Sequence, residues 1–396
     1  MQVKLGFFIF SVFIQSICYG QVVKPHVIDL TAIATSHEKE VYVHEVFDSL
    51  SIVHPSNVTE GLIGGMILKT IIYKDFLIVG SINYVQVFDL KGNFIFRTMK
   101  GKGPNEVQHL GDFTVDYDKD ALLLLDYTGK KVVRVNFNGK YTGTFKVKRG
   151  SMNLSYLGGN KTCFFVPFKY YQENGILYDY LYIQDFEGHI NFTKKFKREI
   201  GESPWVLSQI FNPYKKGSIF KPEYSDTVLF INQEGFHNFK IFDYRGTQMP
   251  EKYMSSIELR RKHQHKYIGK ASAIFTPTFS FYYIQAKGGY EELFIYNEKN
   301  NKIIKAKSTN VVVGGYNSNL KGRGLLIGGS SSKMQVLPLS VSNDGSFLMV
   351  CDIEKITEYV LGQDGSNDYY NSLYKSLKEL DPANDNPVFL RGYIKN

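Results

Sequence analysis

One short unit recurs along the chain and limits what it can fold into. A run of aromatic or branched residues ends in the tetrad Asp89–Gly92, and a second such run follows it. Asp or Asn starts a tight turn and Gly accepts the positive φ that closes it, so each tetrad predicts a hairpin. The tetrad, with Asn once in place of the Gly, recurs after 47 to 58 residues each time, at Asn136–Gly139, Asp185–Gly188, Asp243–Gly246 and Asn297–Asn300.

The length of this repeat favours a β-propeller. A unit of about 40 to 60 residues that contains four short strands has the size of one propeller blade. A further strand precedes the apolar run that ends in each tetrad, as in ALLLLD, DTVLFIN and FSFYYIQ. No long amphipathic pattern separates the units, which argues against a βαβ fold. The aromatic content of 15% suits half-buried sheets. A single β-sandwich is the alternative, but it needs fewer strands than this sequence offers.

The C-terminal part supplies a sixth unit that is incomplete. SVSNDGSFLMVCDI opens it, with Asp344–Gly345 as a hairpin signal. We expect strands from Val41–Val53 to complete the blade that contains Phe347–Ile353, because a ring leaves no exposed edge only when its ends join. Before them, Gln21 to about Glu40 is interpreted as a polar leader. The predicted fold class is all-β: a six-bladed β-propeller with four-stranded antiparallel blades.

Two segments interrupt the strand pattern. Ser255–Lys270 predicts a basic loop or short helix between the fourth and fifth units. Asp368–Leu380 predicts a helix, because Tyr370, Leu373, Leu377 and Leu380 fall on one helical face. We expect this short C-terminal helix to pack on the rim of the ring, and the alternative is that it binds a partner.

The first twenty residues predict export. Residues 1–20 carry one charge, Lys4, and a roughly ten-residue apolar core that is too short to span a bilayer, as in a secretory signal peptide. We expect cleavage after Gly20 and no lipid on Cys18, because Ile17 is too bulky for a lipidation signal. Residues 21–396 are then expected to form a single propeller domain. Without Lys4 the net charge is +8, which favours anionic partners, although an ordinary soluble surface explains the charge better.

Four stretches together resemble a known family. They are VFDLKGNFIFRTMKGKGPNEV, similar to a strand–turn–strand unit that ends in G-x-G-P-G-E, then FTVDYDKDALLLLD, PEYSDTVLFINQEG and DNPVFLRGYI. The chain is similar from about Leu50 to its C-terminus to six-bladed propellers, related to TolB-like and NHL-like proteins, that Gram-negative gut-type bacteria export. Asn105 and Leu229 depart from the family pattern. The resemblance implies the fold and implies no activity.

The glycine-rich stretch Gly101–Glu106 is the first candidate for a site. It lacks the Lys-Ser/Thr pair and the following helix of a phosphate loop, so we interpret it as a corner between blades. The corner, Lys100–Val107, is expected on the face where ligands meet the central channel, with Gly101 and Gly103 in strained backbone conformations. Lys102 and Glu106 are therefore the candidate ligand-binding residues, and their alternative role is a salt bridge that braces the corner.

Other patterns give weaker signals. A glycosidase would need carboxylates at the channel mouth, and the second unit offers Asp112, Asp116, Asp118, Asp120 and Asp126. Ser342–Phe347 is similar to a sialidase Asp box but is interpreted as a hairpin turn. His263 and His265 could share a metal, but the basic residues around them favour a solvated loop.

The leading prediction is therefore an exported binding or scaffolding module of the periplasm or cell envelope. Its ligand would be a glycan, a peptide or an envelope protein over the central channel. The alternatives are a carbohydrate-active hydrolase or lyase, and a sensor or assembly factor that acts through the C-terminal helix. We expect a monomer with no cofactor, metal or nucleic-acid partner, and with Cys163 and Cys351 as buried free thiols.

Overall fold

Strands in a computed structural model of the chain form six blades around a central axis. The structure describes residues 25–64, 67–198, 211–222, 225–254, 256–269, 271–285, 291–307, 325–328, 333–336, 338–342, 344–351, 368–380 and 386–395. Residues 1–20, the expected signal peptide with Cys18, lie outside this part.

The N-terminal part contributes three strands and two short helices before the first complete blade. They are β1 (His26–Asp29), α1 (Leu30–Ala34), β2 (Glu38–Lys39), α2 (Val43–Val46) and β3 (Phe47–Val53), followed by a 3₁₀ turn at Thr59–Gly61.

Blades I to III follow in chain order. Blade I contains β4 (Ile67–Tyr73), β5 (Phe76–Ser81), β6 (Val85–Asp89) and β7 (Phe94–Arg97). Blade II contains β8 (Leu110–Asp116), β9 (Ala121–Asp126), β10 (Lys131–Asn136) and β11 (Tyr141–Lys146). Blade III contains β12 (Asn153–Gly158), β13 (Lys161–Val166), β15 (Ile176–Asp185) and β16 (Ile190–Lys197), with a 3₁₀ turn at Phe168–Tyr170 and a short strand, β14 (Gln172–Glu173), paired with the start of β15.

Blades IV to VI complete the ring. Blade IV contains β17 (Asn212–Tyr214), β18 (Gly217–Phe220), β19 (Thr227–Asn232) and β20 (Gly235–Asp243), and blade V contains β21 (Ala271–Phe275), β22 (Phe279–Gln285), β23 (Glu291–Asn297) and β24 (Lys302–Ala306). A 3₁₀ turn at Glu251–Met254 and helix α3 (Ile257–His263) connect these two blades, and a separate hairpin, β25 (Leu325–Gly328) and β26 (Lys333–Val336), follows blade V. Blade VI contains β27 (Pro338–Val341), β28 (Ser346–Cys351), β29 (Val388–Ile394) and β3, with helix α4 (Asp368–Lys378) between β28 and β29.

The N-terminal strand closes the ring, as the sequence predicts. β3 pairs antiparallel with β29, with Leu390 opposite Ile52, so the first and last parts of the fold share blade VI. A hydrophobic cluster then joins blade VI to blade I, with Leu348 and Phe389 on one side and Leu77 and Val79 on the other. Similar buried clusters lie between the other neighbouring blades, so most of the core is made of contacts between blades.

The expectation of a leader before this strand is wrong. β1 adds a fifth, parallel strand to the outer edge of β20, and β2 does the same at β24. Between them, Leu30 and Ile33 are fully buried. The segment from residue 25 to residue 53 is therefore a strap across the outer edges of blades IV and V that ends inside blade VI.

Turn chemistry explains the repeated tetrads. At Asp89 the carboxylate accepts hydrogen bonds from the backbone N–H groups of Lys91 (2.8 Å) and Asn93 (2.9 Å), and Gly92 has φ +91°. Four of the five tetrads close the hairpin between the third and fourth strands of a blade, as predicted.

One tetrad was assigned to the wrong place. Asp243–Gly246 follows the last strand of blade IV, whereas the hairpin of that blade is closed by Asn232–Gly235. Asn232 accepts the N–H of Glu234 at 2.9 Å, and Gly235 has φ +131°, so this turn has the same chemistry. The signal was present in the sequence as N-Q-E-G, which begins only eleven residues before the similar tetrad.

The predicted helix lies on the outer rim of blade VI. Tyr370, Leu373 and Leu377 of α4 are buried against a cluster that includes Phe47 of β3, and Leu380 packs beside them. The apolar face is thus used within the chain, which removes the basis for a partner-binding helix. Among the helices that the structure describes, none has the length and apolar character needed to cross a membrane.

Candidate functional site

Successive strands alternate in direction, so the connections of each blade fall on two opposite faces. We call one of them the loop face: it carries the connections from second to third strands and from each blade to the next. The other, the turn face, carries the tight hairpins. The corner Lys100–Val107 connects β7, the outer strand of blade I, to β8, the inner strand of blade II, and therefore lies on the loop face.

Backbone hydrogen bonds and one lysine hold the corner. The N–H of Gly101 donates to the carbonyl of Val107 (3.1 Å), and the N–H of Val107 donates to the carbonyl of Met99 (3.1 Å). From the start of β10, the Lys131 ammonium donates to the carbonyls of Gly103 (2.8 Å) and Pro104 (3.2 Å). The corner is thus a fixed connection between the two blades, as predicted.

Glu106 shapes the corner from inside. Its carboxylate accepts the N–H of Gly103 at 2.8 Å. The expectation of strained glycine backbones is wrong, because neither Gly101 nor Gly103 is in the left-handed region. The glycines leave room for the Glu106 side chain in this position: a Cβ on Gly101 would lie 2.0 Å from its carboxylate oxygen, and one on Gly103 would lie 3.0 Å from it.

Lys102 is exposed on this face among several other cations. In the connections of blades I to III, exposed basic side chains are Lys100, Lys102, Lys130, Lys148, Arg149 and Lys169. The exposed acidic side chains of the same connections are Glu60 and Glu173. Each of these solvent-exposed charges attracts an anion only weakly, but all of them together raise the local concentration of anions.

Large apolar side chains are exposed on the same connections. Ile82 is 54% exposed and Met99 60% exposed, and Tyr127 and Tyr170 are exposed on the loops of blades II and III. The ring of Tyr127 lies 5.8 Å from that of His109. Flat aromatic faces with a polar edge can stack on sugar rings or on apolar side chains. The loop face of blades I to III is therefore both basic and apolar.

The carboxylates that an enzyme would need all accept structural hydrogen bonds. Asp112 is buried and accepts from Lys69 (3.0 Å) in blade I and from the N–H of Leu154 (3.0 Å) in blade III. Asp116 and Asp126 are also buried, and each accepts from backbone N–H groups of turns.

The two remaining aspartates lie on the turn face, away from the corner. Asp118 accepts from the Tyr156 hydroxyl (2.6 Å) and Asp120 accepts from the hydroxyl of Tyr73 and from Lys74. The hydrogen bond to Tyr156 holds the pKa of Asp118 below its usual value. These arrangements do not support the hydrolase alternative.

A cleft that the sequence analysis missed lies between blades III and IV on the loop face. It encloses about 520 Å³ and includes Asp179, Arg198 and Glu251 in its lining. The buried Arg198 guanidinium donates through Nη1 to Asp179 (2.6 Å) and through Nε to Glu251 (2.5 Å). Burial raises the pKa of Asp179 in spite of this pairing. In the sequence, this cleft was indicated only by Asp179, the single charged residue inside the apolar strand ILYDYLYIQ.

The weaker sequence signals have structural roles. Ser342 and Gly345 belong to the hairpin between β27 and β28, as predicted, with the N–H of Gly345 donating to the carbonyl of Ser342 (2.9 Å). His263 lies in α3, in the basic segment before blade V, and its ring stacks on Tyr253 at 3.9 Å. Cys163 is a buried free thiol, whose pKa burial raises, and the side chain of Cys351 lies outside the description.

Comparisons with known proteins identify the family. A model of a domain of unknown function, DUF4934, matches residues 25–391. No curated protein has a significant match to this sequence. Among solved structures, a Bacteroides fragilis protein inferred to be exported is 16% identical over 91% of this chain and 98% of its own, with a TM-score of 0.64.

A second solved structure, a DUF4221 member from Bacteroides vulgatus, is 10% identical over 88% of this chain and 99% of its own, with a TM-score of 0.48. At these identities the B. fragilis likeness concerns the fold alone, while the family match covers the chain from β1 to β29. This chain, whose fold is a six-bladed β-propeller, belongs to the DUF4934 family.

Proposed function

We propose that this protein is an exported, non-catalytic binding module of the cell envelope, and that its loop face over blades I to III binds an acidic ligand. An acidic glycan is the ligand that the side chains fit best. The observation that carries the proposal is the coincidence of exposed cations and exposed aromatic side chains on the same connections. Cations attract the carboxylates or sulfates of such a glycan, and Tyr127 and Tyr170 offer faces for its rings.

Within this site we assign different roles to the two candidate residues. Lys102 contacts the ligand directly, because it is exposed at the tip of a corner that Lys131 holds in place. Glu106 positions the corner, because its carboxylate is already bonded to the N–H of Gly103. The braced corner keeps Lys102 in one place, so less conformational entropy is lost when the ligand binds.

A structural likeness supports the exported part of the proposal. A Bacteroides fragilis propeller of the same overall fold is inferred to be exported, and residues 1–20 of this chain have the pattern of a secretory signal peptide. We propose that the mature chain begins at Gln21 and that residues 21–396 form one domain. The intact mass of the processed protein tests the cleavage, and a diacylglyceryl group on Cys18 would contradict it.

The binding proposal is tested with oligogalacturonides and sulfated oligosaccharides as acidic probes, and with a neutral oligosaccharide of the same length. Isothermal titration is run on the mature protein and on a variant with Lys102→Ala, Arg149→Ala and Lys169→Ala. We expect tenfold or greater weakening of acidic binding in the triple variant, and an affinity in the wild type that falls with added salt.

A matched control is available on the turn face. Lys91, Lys119 and Lys140 are also exposed, and replacing all three by Ala removes the same number of charges from the opposite side of the ring. This turn-face variant should leave the affinity unchanged. Equal binding by the wild type and the loop-face triple variant, or a loss of the same size in the turn-face variant, would show that the loop face is not the site.

A further inference from the structure

The chain itself shows that the outer edges of its blades accept an additional strand. In blade IV, β1 lies parallel to β20 with His26 opposite Lys240, and in blade V, β2 lies parallel to β24 with Glu38 opposite Lys305. In both places a short extended segment uses the unpaired backbone groups of a fourth strand. The outer edge of this propeller is therefore a working template for strand addition.

Strand β16 is the longest such edge that no described strand covers. It spans eight residues and pairs along its inner side with β15, from Tyr178 opposite Lys197 to Gln184 opposite Ile190. The corresponding outer strands of blades I and II are shorter, with four residues in β7 and six in β11. The outer strand of blade III thus has the most backbone groups to offer.

The side chains of β16 divide into two halves. Toward the turn face, Ile190 and Phe192 are each 37% exposed. Toward the loop face come three lysines, of which Lys195 is paired with Glu173. Among the described residues, no ion pair engages Lys194 or Lys197. Lysines alone would be ordinary protection of an edge against aggregation, but two exposed large apolar residues at alternate positions do not protect an edge.

The basic half of β16 ends beside the cleft between blades III and IV. Lys195, Lys197 and Arg198 contribute to its lining. Glu173 pairs with Lys195, and Asp179 and Glu251 both pair with Arg198, so the four cations at this end exceed the three carboxylates by one positive charge, which Lys194 and Lys197 supply. A segment that follows the edge would therefore meet apolar side chains first and cations last.

We propose that β16 binds an extended segment of a partner protein as a fifth strand of blade III. The segment runs parallel to β16, as β1 and β2 run parallel to their strands. It has branched or aromatic side chains beside Ile190 and Phe192 and acidic side chains beside Lys194 and Lys197, with its C-terminal end at the cleft. The backbone bonds supply affinity, and the apolar-then-acidic order supplies specificity. This surface is distinct from the loop-face site and does not depend on it.

Fluorescence anisotropy with labelled synthetic peptides tests the proposal. The first peptide has ten residues, with alternating Val and Thr in its first half and Glu at the two positions of its second half that lie beside Lys194 and Lys197, which are on opposite faces of β16. The second has the reverse order of residues, and the third has Lys in place of Glu. The first should bind at least tenfold more tightly than the other two to the wild-type protein.

Charge reversal in the protein provides the second measurement. The Lys194→Glu/Lys197→Glu double variant should lose at least tenfold in affinity for the acidic peptide and gain affinity for the lysine peptide. The matched control, the Lys91→Glu/Lys140→Glu double variant on the turn face, should change neither. This swap separates recognition at β16 from a loss of folding, because an unfolded variant would not gain a ligand.

Hydrogen exchange read by mass spectrometry locates the peptide. Binding should slow the exchange of amides in residues 190–197 and leave β7 and β11 unchanged. Equal affinity for all three peptides, protection of another strand, or no peptide binding at all would overturn the proposal. So would dimerisation through β16 in native mass spectrometry, because the occupant would then be a second copy of this chain.

Discussion

Replacing Asp112 by Ala should destabilise the propeller strongly, because this one carboxylate joins three blades. It accepts hydrogen bonds from Lys69 (3.0 Å) in blade I and from the backbone N–H groups of Phe113 (2.8 Å) and Leu154 (3.0 Å). The side chains of Lys69 and Asp112 are only 12% and 5% exposed. Ala would leave a buried ammonium without its counter-ion and a buried N–H of blade III without its acceptor.

The size of the effect follows from that burial. Removing one partner of a buried ion pair costs about 3–5 kcal/mol, and hydrogen bonds to a charged group are worth about 1.5–3 kcal/mol each. Because Lys69 can turn toward water after the change, we expect about 3–5 kcal/mol rather than the larger sum of the bonds. Lys69→Met should cost less than Asp112→Ala, because Asp112 would keep both backbone donors.

Urea unfolding followed by circular dichroism measures this cost, with the transition slope checked for a change between variants. The control is Lys39→Ala, which removes an ion pair with Glu45 in which the two side chains are 42% and 33% exposed. An exposed pair contributes about 0–1 kcal/mol. If Asp112→Ala is no more destabilising than this control, the inner strands are not joined in the way described.

Four further predictions concern a turn glycine, a buried thiol, a turn-face aspartate and the N-terminal segment. Gly92→Ala should cost about 1–3 kcal/mol or more in urea unfolding, because Gly92 has φ +91° and an added Cβ would lie 1.9 Å from a carbonyl oxygen; a cost below 0.5 kcal/mol would contradict this. Cys163 should not react with iodoacetamide in the native protein at pH 8 and should react once urea unfolds it, because burial raises the pKa of its thiol. Asp118 stabilises the fold above its ordinary pKa of 3.8, because Tyr156 holds its folded pKa lower; this contribution is lost as pH falls through the folded value, so Asp118→Asn should flatten the acid side of the stability profile below pH 3.8, and an unchanged profile would refute the assignment. Deleting residues 25–55 should cause aggregation, because it removes a strand of blade VI and uncovers the edges of blades IV and V; a soluble, fully β-structured product would contradict the closure.

The sequence was sufficient for the blades because their turns depend on local chemistry. Each tetrad places an Asp or Asn acceptor and a residue that tolerates positive φ within four residues, and those two requirements can be recognised without tertiary information. Because turn chemistry is local, it also produced the wrong position for the hairpin turn of blade IV. Asp243 also accepts the N–H of Arg245 (2.8 Å), so it forms a genuine turn, but one that follows the outer strand. Only the pairing of the strands distinguishes this turn from the hairpin turn Asn232–Gly235, and the sequence does not show which strands pair.

Features that depend on contacts between residues far apart in the sequence could not be predicted from it. The polar stretch after Gln21 gave no sign of strand addition, because β1 and β2 pair with strands more than two hundred residues away. At the corner, Gly101 and Gly103 were identified, but the reason for them was not: the side chain of Glu106 folds into the space where a Cβ would be. Arg198 was missed because its two carboxylate partners are far apart in the sequence. Asp179 lies in β15 of blade III, and Glu251 lies in the connection between blades IV and V.

The loop face is the central claim about function, and hydrogen exchange in the presence of an acidic oligosaccharide tests it most directly. At a ligand concentration that saturates binding, the amides of residues 98–109, 127–130 and 147–152 should exchange more slowly. Those of the turn-face segments 117–120 and 136–140 should exchange as in the protein alone. Protection confined to the turn face, or no protection of the loop-face segments at saturation, would contradict the account.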